Sequence, residues 1–283
     1  MRLQLLGVRG SRPTPGPEHV RYGGNTSCIA ITRDGAGSSR PSRPSLVLDG
    51  GTGLANLSSQ FQDEPFDGSI LLTHLHWDHV YGLPFFPAGD RPDARVDLWL
   101  PAQGDAETAL ENFMRPPHFP IRPGDLRGAW RFHALEPGTS VIESFEVLAL
   151  DIPHKGGRTF GYRVSDGTNT VAYMPDHGPV DLGEGDDGLG AIHEAALRLA
   201  HGADVLFHDA QHTVAEFPAV RHFGHSTIDY AISLARLAQV RRLVLFHHDP
   251  ARTDDLLDAI AAQTAGLDVV VEVAREGTEI ILT

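Results

Sequence analysis

Cysteine is almost absent. Cys28 is the one thiol in 283 residues, so no intramolecular disulfide can form and no thiolate-rich metal site can be assembled. Long apolar runs are missing too: none approaches the roughly 20 residues of a membrane-spanning helix. The stretch from Met1 to Gly7 is too short for a signal peptide and reads as a first strand, so the expected address is the cytoplasm. Clusters of lysine and arginine are also lacking. With a formal charge of −14, histidines counted neutral, that argues against a broad electrostatic footprint on nucleic acid. A small phosphorylated substrate remains compatible, because bound dications reverse a local field. What the chain has in quantity is histidine, 16 in all, in a composition with 30 Gly and 20 Pro that fits a loop-rich α/β protein.

The histidines are not evenly spread. Ile70-Leu71-Leu72-Thr73 reads as the end of a short buried strand leading into His74-Leu75-His76-Trp77-Asp78-His79, with Gly82 and Pro84 punctuating the residues after it. Strand side chains alternate, which sends His74 and His76 the same way. Asp78 and His79 lie in the turn beyond, where a chain entering a helix can swing two more ligands to the same point. Three imidazoles and a carboxylate at this spacing suit a divalent metal, since neutral imidazole is a good zinc ligand and the carboxylate compensates charge.

Strands are expected near 3–8, 26–32, 45–48, 94–100, 129–134, 141–151, 205–207, 243–246, 268–273 and 278–282, with a hairpin over 160–174. Helices are expected from Leu54, over 104–114, 190–201 and 253–264, and after Gly224 with Ser226 or Thr227 as N-cap. The Gly/Ser/Pro-rich stretch 34–44 reads as a hairpin tip. Five strand ends carry His or Asp: His74 with His76, His154, Asp176, His208 with Asp209, and His247. In layered α/β folds sites form at the carboxyl ends of strands, so these are expected to converge on one binuclear centre. Asp49, in Asp49-Gly50-Gly51-Thr52-Gly53, either accepts a hydrogen bond from a ligating imidazole or stabilises its own turn. Arg12 and Arg21, in or beside the loop after the first strand, and His118, in the proline-rich loop 114–120, are candidates to meet substrate; an ordinary solvated or loop role competes for each.

The run His74-x-His76-x-Asp78-His79, continued by His154, Asp176 and His247, closely resembles the metallo-β-lactamase superfamily. Asp49-Gly50-Gly51-Thr52-Gly53, Gly224-His225-Ser226-Thr227 and the segment His154 to Tyr162 resemble its branch containing RNase Z and the cyclic-phosphate phosphodiesterases. The resemblance implies an αββα sandwich, two facing mixed sheets with helices outside, in one hydrolase domain over residues 1–283. It implies His74, His76 and His154 on one metal, Asp78, His79 and His247 on the other, and Asp176 bridging them. His247 is preferred to His248 because it directly follows its strand. His225 matches the branch's non-ligand histidine, with Asp209 in place to orient it, and Asp78 counts as catalytic as well as ligating.

Two departures stand out. The stretch between His154 and Asp176 is too short for the tRNA-gripping arm common in RNase Z, and one cysteine cannot build the extra zinc site of some phosphonate-pathway enzymes. The implied activity is a binuclear metal-dependent phosphodiesterase acting on a small phosphodiester, cyclic or linear, or a nucleotide. The implied cofactors are two divalent ions, Zn2+ by default, with Mn2+ or Fe compatible. A homodimer is expected from the resemblance alone. The alternative is an acyl hydrolase acting on a lactone, thioester or β-lactam through the same activated water. That reaction has no need of a separate acid such as His225. A non-catalytic binding protein is the third reading.

Overall fold

The computed structural model describes residues 1–33 and 43–283, so most of the stretch read as a hairpin tip, residues 34–42, lies outside the described residues. The strands are β1 (Arg2–Gly7), β2 (Cys28–Thr32), β3 (Leu46–Leu48), β4 (Asp67–Leu71), β5 (Arg95–Pro101), β6 (Ala129–Leu135), β7 (Gly138–Ile142), β8 (Phe145–Asp151), β9 (Phe160–Ser165), β10 (Thr170–Met174), β11 (Val205–Asp209), β12 (Arg242–Phe246), β13 (Val270–Val273) and β14 (Glu279–Ile281). They form two seven-stranded sheets, ordered β14-β1-β2-β3-β4-β5-β6 and β13-β12-β11-β10-β9-β8-β7. Each sheet is mixed. In the first, β3 to β6 run parallel while β1 pairs antiparallel with β2 and β14; in the second, β10 to β13 run parallel and β7 to β10 antiparallel.

The helices are α1 (Leu54–Leu57), α2 (Trp77–Val80), α3 (Ala106–Glu111), α4 (Glu194–Ala200), α5 (Phe217–Val220), α6 (Ile228–Leu237) and α7 (Asp254–Thr264). Period-two alternation explains how the layers assemble. In β10, Val171 and Tyr173 enter the core between the sheets, where Leu3, Ile29, Leu48, Phe145 and Phe207 meet them. Ala172 and Met174 face the other way, under Leu199 of α4 and Leu234 of α6. The first sheet does the same, turning Val47, Ile70 and Leu98 to Leu57, Val80 and Leu110 of α1 to α3. Strands buried on both faces read as nearly continuous apolar runs, which is what these are. The result is the αββα sandwich.

Several expected boundaries shift. The stretch 141–151 is a hairpin and not one strand: Glu143 and Ser144 take φ of 48° and 65° between β7 and β8. The helices expected over 104–114 and 190–201 are shorter, and the one starting at Leu54 makes one α turn before a 3-10 turn at Ser58–Phe61. Thr227, not Ser226, caps α6, its Oγ1 accepting from the Tyr230 N–H at 3.1 Å. Among the described residues no helix is long and apolar enough to cross a membrane.

Phe145 is fully buried between the sheets. Phe145→Ala should therefore cost about 3–5 kcal/mol by the transfer and cavity terms together. Urea unfolding followed by circular dichroism checks this; a loss under about 1 kcal/mol would contradict the two-sheet core.

Candidate metal centre

The site sits at one edge of the sandwich, where strands of both sheets end. From the first sheet, Asp49 follows β3, and Thr73, His74 and His76 follow β4; α2 then places Asp78 and His79 in its single turn. From the second, His154 lies beyond β8, Asp176 beyond β10, Asp209 at the end of β11 and His247 directly after β12. Among the described residues three groups of donor atoms result, each within 4.8 Å of one another: His74, His76, His154 and Asp176; Asp78, His79, Asp176 and His247; and Asp209, His225 and His247. Asp176 belongs to the first two. Its Oδ1 lies 3.8 Å from His74 Nε2 and 3.4 Å from His154 Nε2. Its Oδ2 lies 2.9 Å from His79 Nε2 and 3.3 Å from His247 Nε2. Asp78 Oδ2 closes the second set at 3.3 Å from His79 Nε2 and 3.1 Å from His247 Nε2. Such separations are what donors about 2.0–2.2 Å from a shared ion adopt.

The tautomers are set by the partners behind the rings. Asp49 Oδ2 lies 2.8 Å from His79 Nδ1, and a carboxylate only accepts, so Nδ1 carries a proton and Nε2 is the nitrogen turned to Asp78 and Asp176. Asp49 is itself held by the Thr73 N–H at 2.7 Å and the Tyr173 O–H at 2.9 Å. The Gly224 carbonyl does the same for His154, accepting from Nδ1 at 2.7 Å. His74 Nε2, His79 Nε2 and Asp176 Oδ2 are buried without a hydrogen-bond partner, although carboxylate and imidazole are in near contact. Asp49, Asp78, Asp176 and Asp209 are all buried, and among the described residues none pairs with a lysine or arginine. Imidazole nitrogens this close to buried carboxylate oxygens need either protons or cations between them, and the raised pKa of His79 is the proton alternative. The donor set therefore fits divalent cations.

The titration behaviour reflects the same crowding. Burial, then His79 next to it, holds His74 well below its ordinary value. Burial opposes charge on His79, yet Asp176, Asp78 and Asp49 outweigh it and raise its pKa well above the ordinary value. Burial alone would raise the Asp176 carboxyl; His247, His79 and His74 hold it well below the usual range.

His225 stands beside the first two groups. Its Nδ1 is 2.8 Å from Asp209 Oδ2, and Asp209 is fixed by the N–H groups of His177 at 3.0 Å and Gln211 at 3.1 Å. Burial disfavours the imidazolium, but Asp209, with Asp176 and Asp78 behind it, overcomes that and raises the pKa to about 9. With Ser11, His76, Trp77 and Asp78, the ring lines a cleft of about 340 Å³ over the donor sets.

Other expected residues fall elsewhere. His208 does not join the centre: its Nε2 meets His177 Nδ1 at 2.9 Å, and His177 Nε2 continues to His193 at 2.7 Å. His248 turns away, 2.8 Å from the Ala274 carbonyl, so His247 is the histidine of the pair that faces the centre. The Arg21 guanidinium engages Asp255 and Asp258 at 2.6 and 2.7 Å and does not point to the cleft. Arg12 is exposed, and its guanidinium donates to the Pro13 carbonyl at 3.4 Å. His118 lines a neighbouring cleft with Trp77. The sequence reading missed Ser11, whose N–H donates to Asp78 Oδ2 at 2.7 Å, and Gln211, whose Nε2–H donates to Ser11 Oγ at 3.1 Å. Gly10 permits this loop to approach, since a Cβ there would lie 2.5 Å from His247 Nδ1.

A profile of the β-lactamase superfamily domain matches residues 47–248. The chain belongs to that superfamily. Ribonuclease Z of Lactococcus lactis subsp. lactis is 28% identical over 221 aligned positions, in a match that covers 63% of this chain and 69% of that protein. Among solved structures, the metallo-β-lactamase fold protein YhfI from Bacillus subtilis superposes with a TM-score of 0.69 at 18% identity, covering 99% of this chain and 98% of its own. The short form of human tRNase Z superposes at 0.66 and 20% identity over the full length of both. These place the sandwich in the metallo-β-lactamase fold, and this superfamily member is a metal-dependent hydrolase.

Asp49→Asn removes the charged acceptor behind His79 and should weaken metal affinity about 10- to 100-fold. Competition against a chelating dye measures it, with a thermal melt to show that the fold survives. Unchanged affinity in a folded variant would remove Asp49 from the site.

Proposed function

We propose that the chain hydrolyses phosphodiesters with two divalent cations, one among His74, His76, His154 and Asp176, the other among Asp78, His79, Asp176 and His247. The observation that carries this reading is the buried set of carboxylates and inward-facing imidazoles, none of whose carboxylates pairs with a lysine or arginine among the described residues. Cations there would offset the buried charge of Asp49, Asp78 and Asp176, while protonated His225 answers Asp209. Zinc suits nitrogen and oxygen donors without thiolate, and manganese or iron tolerate them. When bound, such ions polarise phosphoryl oxygens and lower the pKa of a coordinated water.

The chain's own residues do the remaining work. Asp176 spans the two sets through separate oxygens, and the Ser11 N–H fixes the oxygen Asp78 presents to the second. His225, kept protonated by Asp209, is placed to donate a proton to a departing alkoxide, a contribution of typically about 10²–10⁴-fold. That dyad favours a phosphodiester over the acyl alternative, whose collapse needs no such acid. The ribonuclease name of the sequence relatives also points to phosphodiesters. Residues 1–283 are read as one hydrolase domain, which the return of β14 to pair with β1 supports.

A second reading, that RNA is the substrate, is favoured by the same name. The net charge of −14 favours the small diester. Both are decided by one panel: an alkyl phosphodiester, a nucleotide diester, a tRNA precursor, a lactone and a thioester. Turnover confined to the lactone or thioester would overturn the proposal.

Elemental analysis should find close to two metal equivalents, and chelation should abolish turnover; full activity in the stripped protein would end the metal reading. His225→Ala should lower kcat about 10²- to 10⁴-fold on an alkyl leaving group, and far less on a nitrophenolate, which leaves without a proton. Equal losses on both would remove the acid role. Turnover on the alkyl diester should fall as pH rises and His225 deprotonates. That limb is expected at or below about 9, because dications nearby lower the pKa from its carboxylate-raised value.

A further inference from the structure

The metal-centre edge leaves large aromatic rings in solvent. Trp77 is 75% exposed, Tyr81 53% and Phe85 47%. The cause lies in α2: to turn Asp78 and His79 inward, the single turn must put Trp77 outside. Tyr81 comes four residues later on the same face. Its ring lies 5.6 Å from Phe85, and Phe85 meets Phe119 edge-on at 5.8 Å. These rings wall a cleft of about 420 Å³, with Asn112 and His118 among its lining. Trp77 lines both this cleft and the one above the metal donors, so the two adjoin at its side chain. Clustered exposed apolar rings mark a binding surface, and this volume falls in the range of small-ligand sites.

We propose that the aromatic cleft is a nucleobase subsite: the substrate is a small nucleotide diester whose base stacks on Trp77, flanked by Tyr81 and Phe85, while its phosphate lies over the metal centre. The inference rests on the phosphodiester reading and narrows it. Planar π-faces are what Trp77 offers, and base stacking tolerates any base. Asn112 and His118 add hydrogen-bonding groups for the base edge. Neither lysine nor arginine lines either cleft among the described residues, which fits one nucleotide unit and not a long backbone.

The test reads binding, so it is independent of turnover. The full chain, reconstituted with Zn2+, is titrated with adenosine 5′-monophosphate and with ribose 5-phosphate by calorimetry and by tryptophan fluorescence. The nucleotide should bind about 5- to 100-fold more tightly and quench the emission. Trp77→Ala should bring the two ligands to parity at unchanged metal content, and Trp77→Phe should keep most of the preference while losing the quench. Tyr81→Ala, outside the ligand run, should reduce the preference in the same direction. Equal binding of the two ligands by the unaltered protein would overturn the subsite, as would a preference that survives Trp77→Ala. A change from dimer to monomer on Trp77→Ala would assign the patch to a second copy instead, and decaadenylate binding far more tightly than the mononucleotide with steep salt dependence would assign it to RNA; either overturns the proposal. A base preference in a protein that hydrolyses no phosphodiester would overturn the reaction and leave the subsite standing.

Discussion

Carboxylates sealed from water are stable only if positive charge joins them, and among the described residues no lysine or arginine brings it to Asp49, Asp78, Asp176 or Asp209, which leaves protons on His79 and His225 or bound cations to do so. The rest of the structure is arranged around that demand. Each sheet alone offers half a shell: the first contributes Asp49, His74, His76, Asp78 and His79, and the second His154, Asp176, Asp209 and His247. Only their facing brings the two oxygens of Asp176 to opposite groups of donors. Cation binding and packing of the two sheets are therefore linked, because the full donor set exists only in the folded chain.

The loops that finish the site are held in unfavourable backbone. Ser11, Asp49 and His247 have φ of 61°, 59° and 59°, a region that costs non-glycine residues roughly 1–3 kcal/mol where context enforces it. Each makes a contact at the centre: Ser11 through its N–H to Asp78, Asp49 through its carboxylate to His79, and His247 through Nε2 to Asp78. Strain is concentrated where an ordinary strand exit would aim the group elsewhere. The inter-sheet core, with Leu3, Phe145, Phe207 and Phe246 all buried, is what holds these residues in place.

How much of the site is legible in the sequence depends on the range of each interaction. His74 to His79 is legible because four donors fall within one strand end and one turn. His154, Asp176 and His247 are legible only as strand ends joined by a family pattern, since nothing local says that they meet. His208 marks what strict alternation would have excluded. Val205 and Phe207 face the inter-sheet core and Leu206 the helix layer, so His208 shares Leu206's side and goes to His177, while Asp209 shares Phe207's and reaches His225. At β12 the same rule would mislead, because Leu243 and Leu245 face the helices and His247 has their parity. The left-handed turn at His247 reverses it, which the family register captures and periodicity cannot. Tyr173 on Asp49 spans 124 positions and Ser11 on Asp78 spans 67, and neither carries a local signal. The break at Glu143-Ser144 escapes a sequence reading for a different reason: neither residue belongs to the usual glycine or asparagine turn chemistry.

One short element ties chemistry to recognition. A single turn of helix cannot bury all its side chains. With Asp78, His79 and Val80 turned inward, Trp77 is the position left over. Any residue there lies at the mouth of the cleft, where a small polar one would be the least costly to hydrate. A tryptophan at that position exposes apolar area that the fold does not require, since its ring joins none of the three buried clusters. The same holds for Tyr81 and Phe85, which continue the surface away from the metal donors. Apolar exposure without a structural reason, adjoining a centre suited to phosphoryl chemistry, is accounted for by a ligand that is anionic at one end and planar at the other.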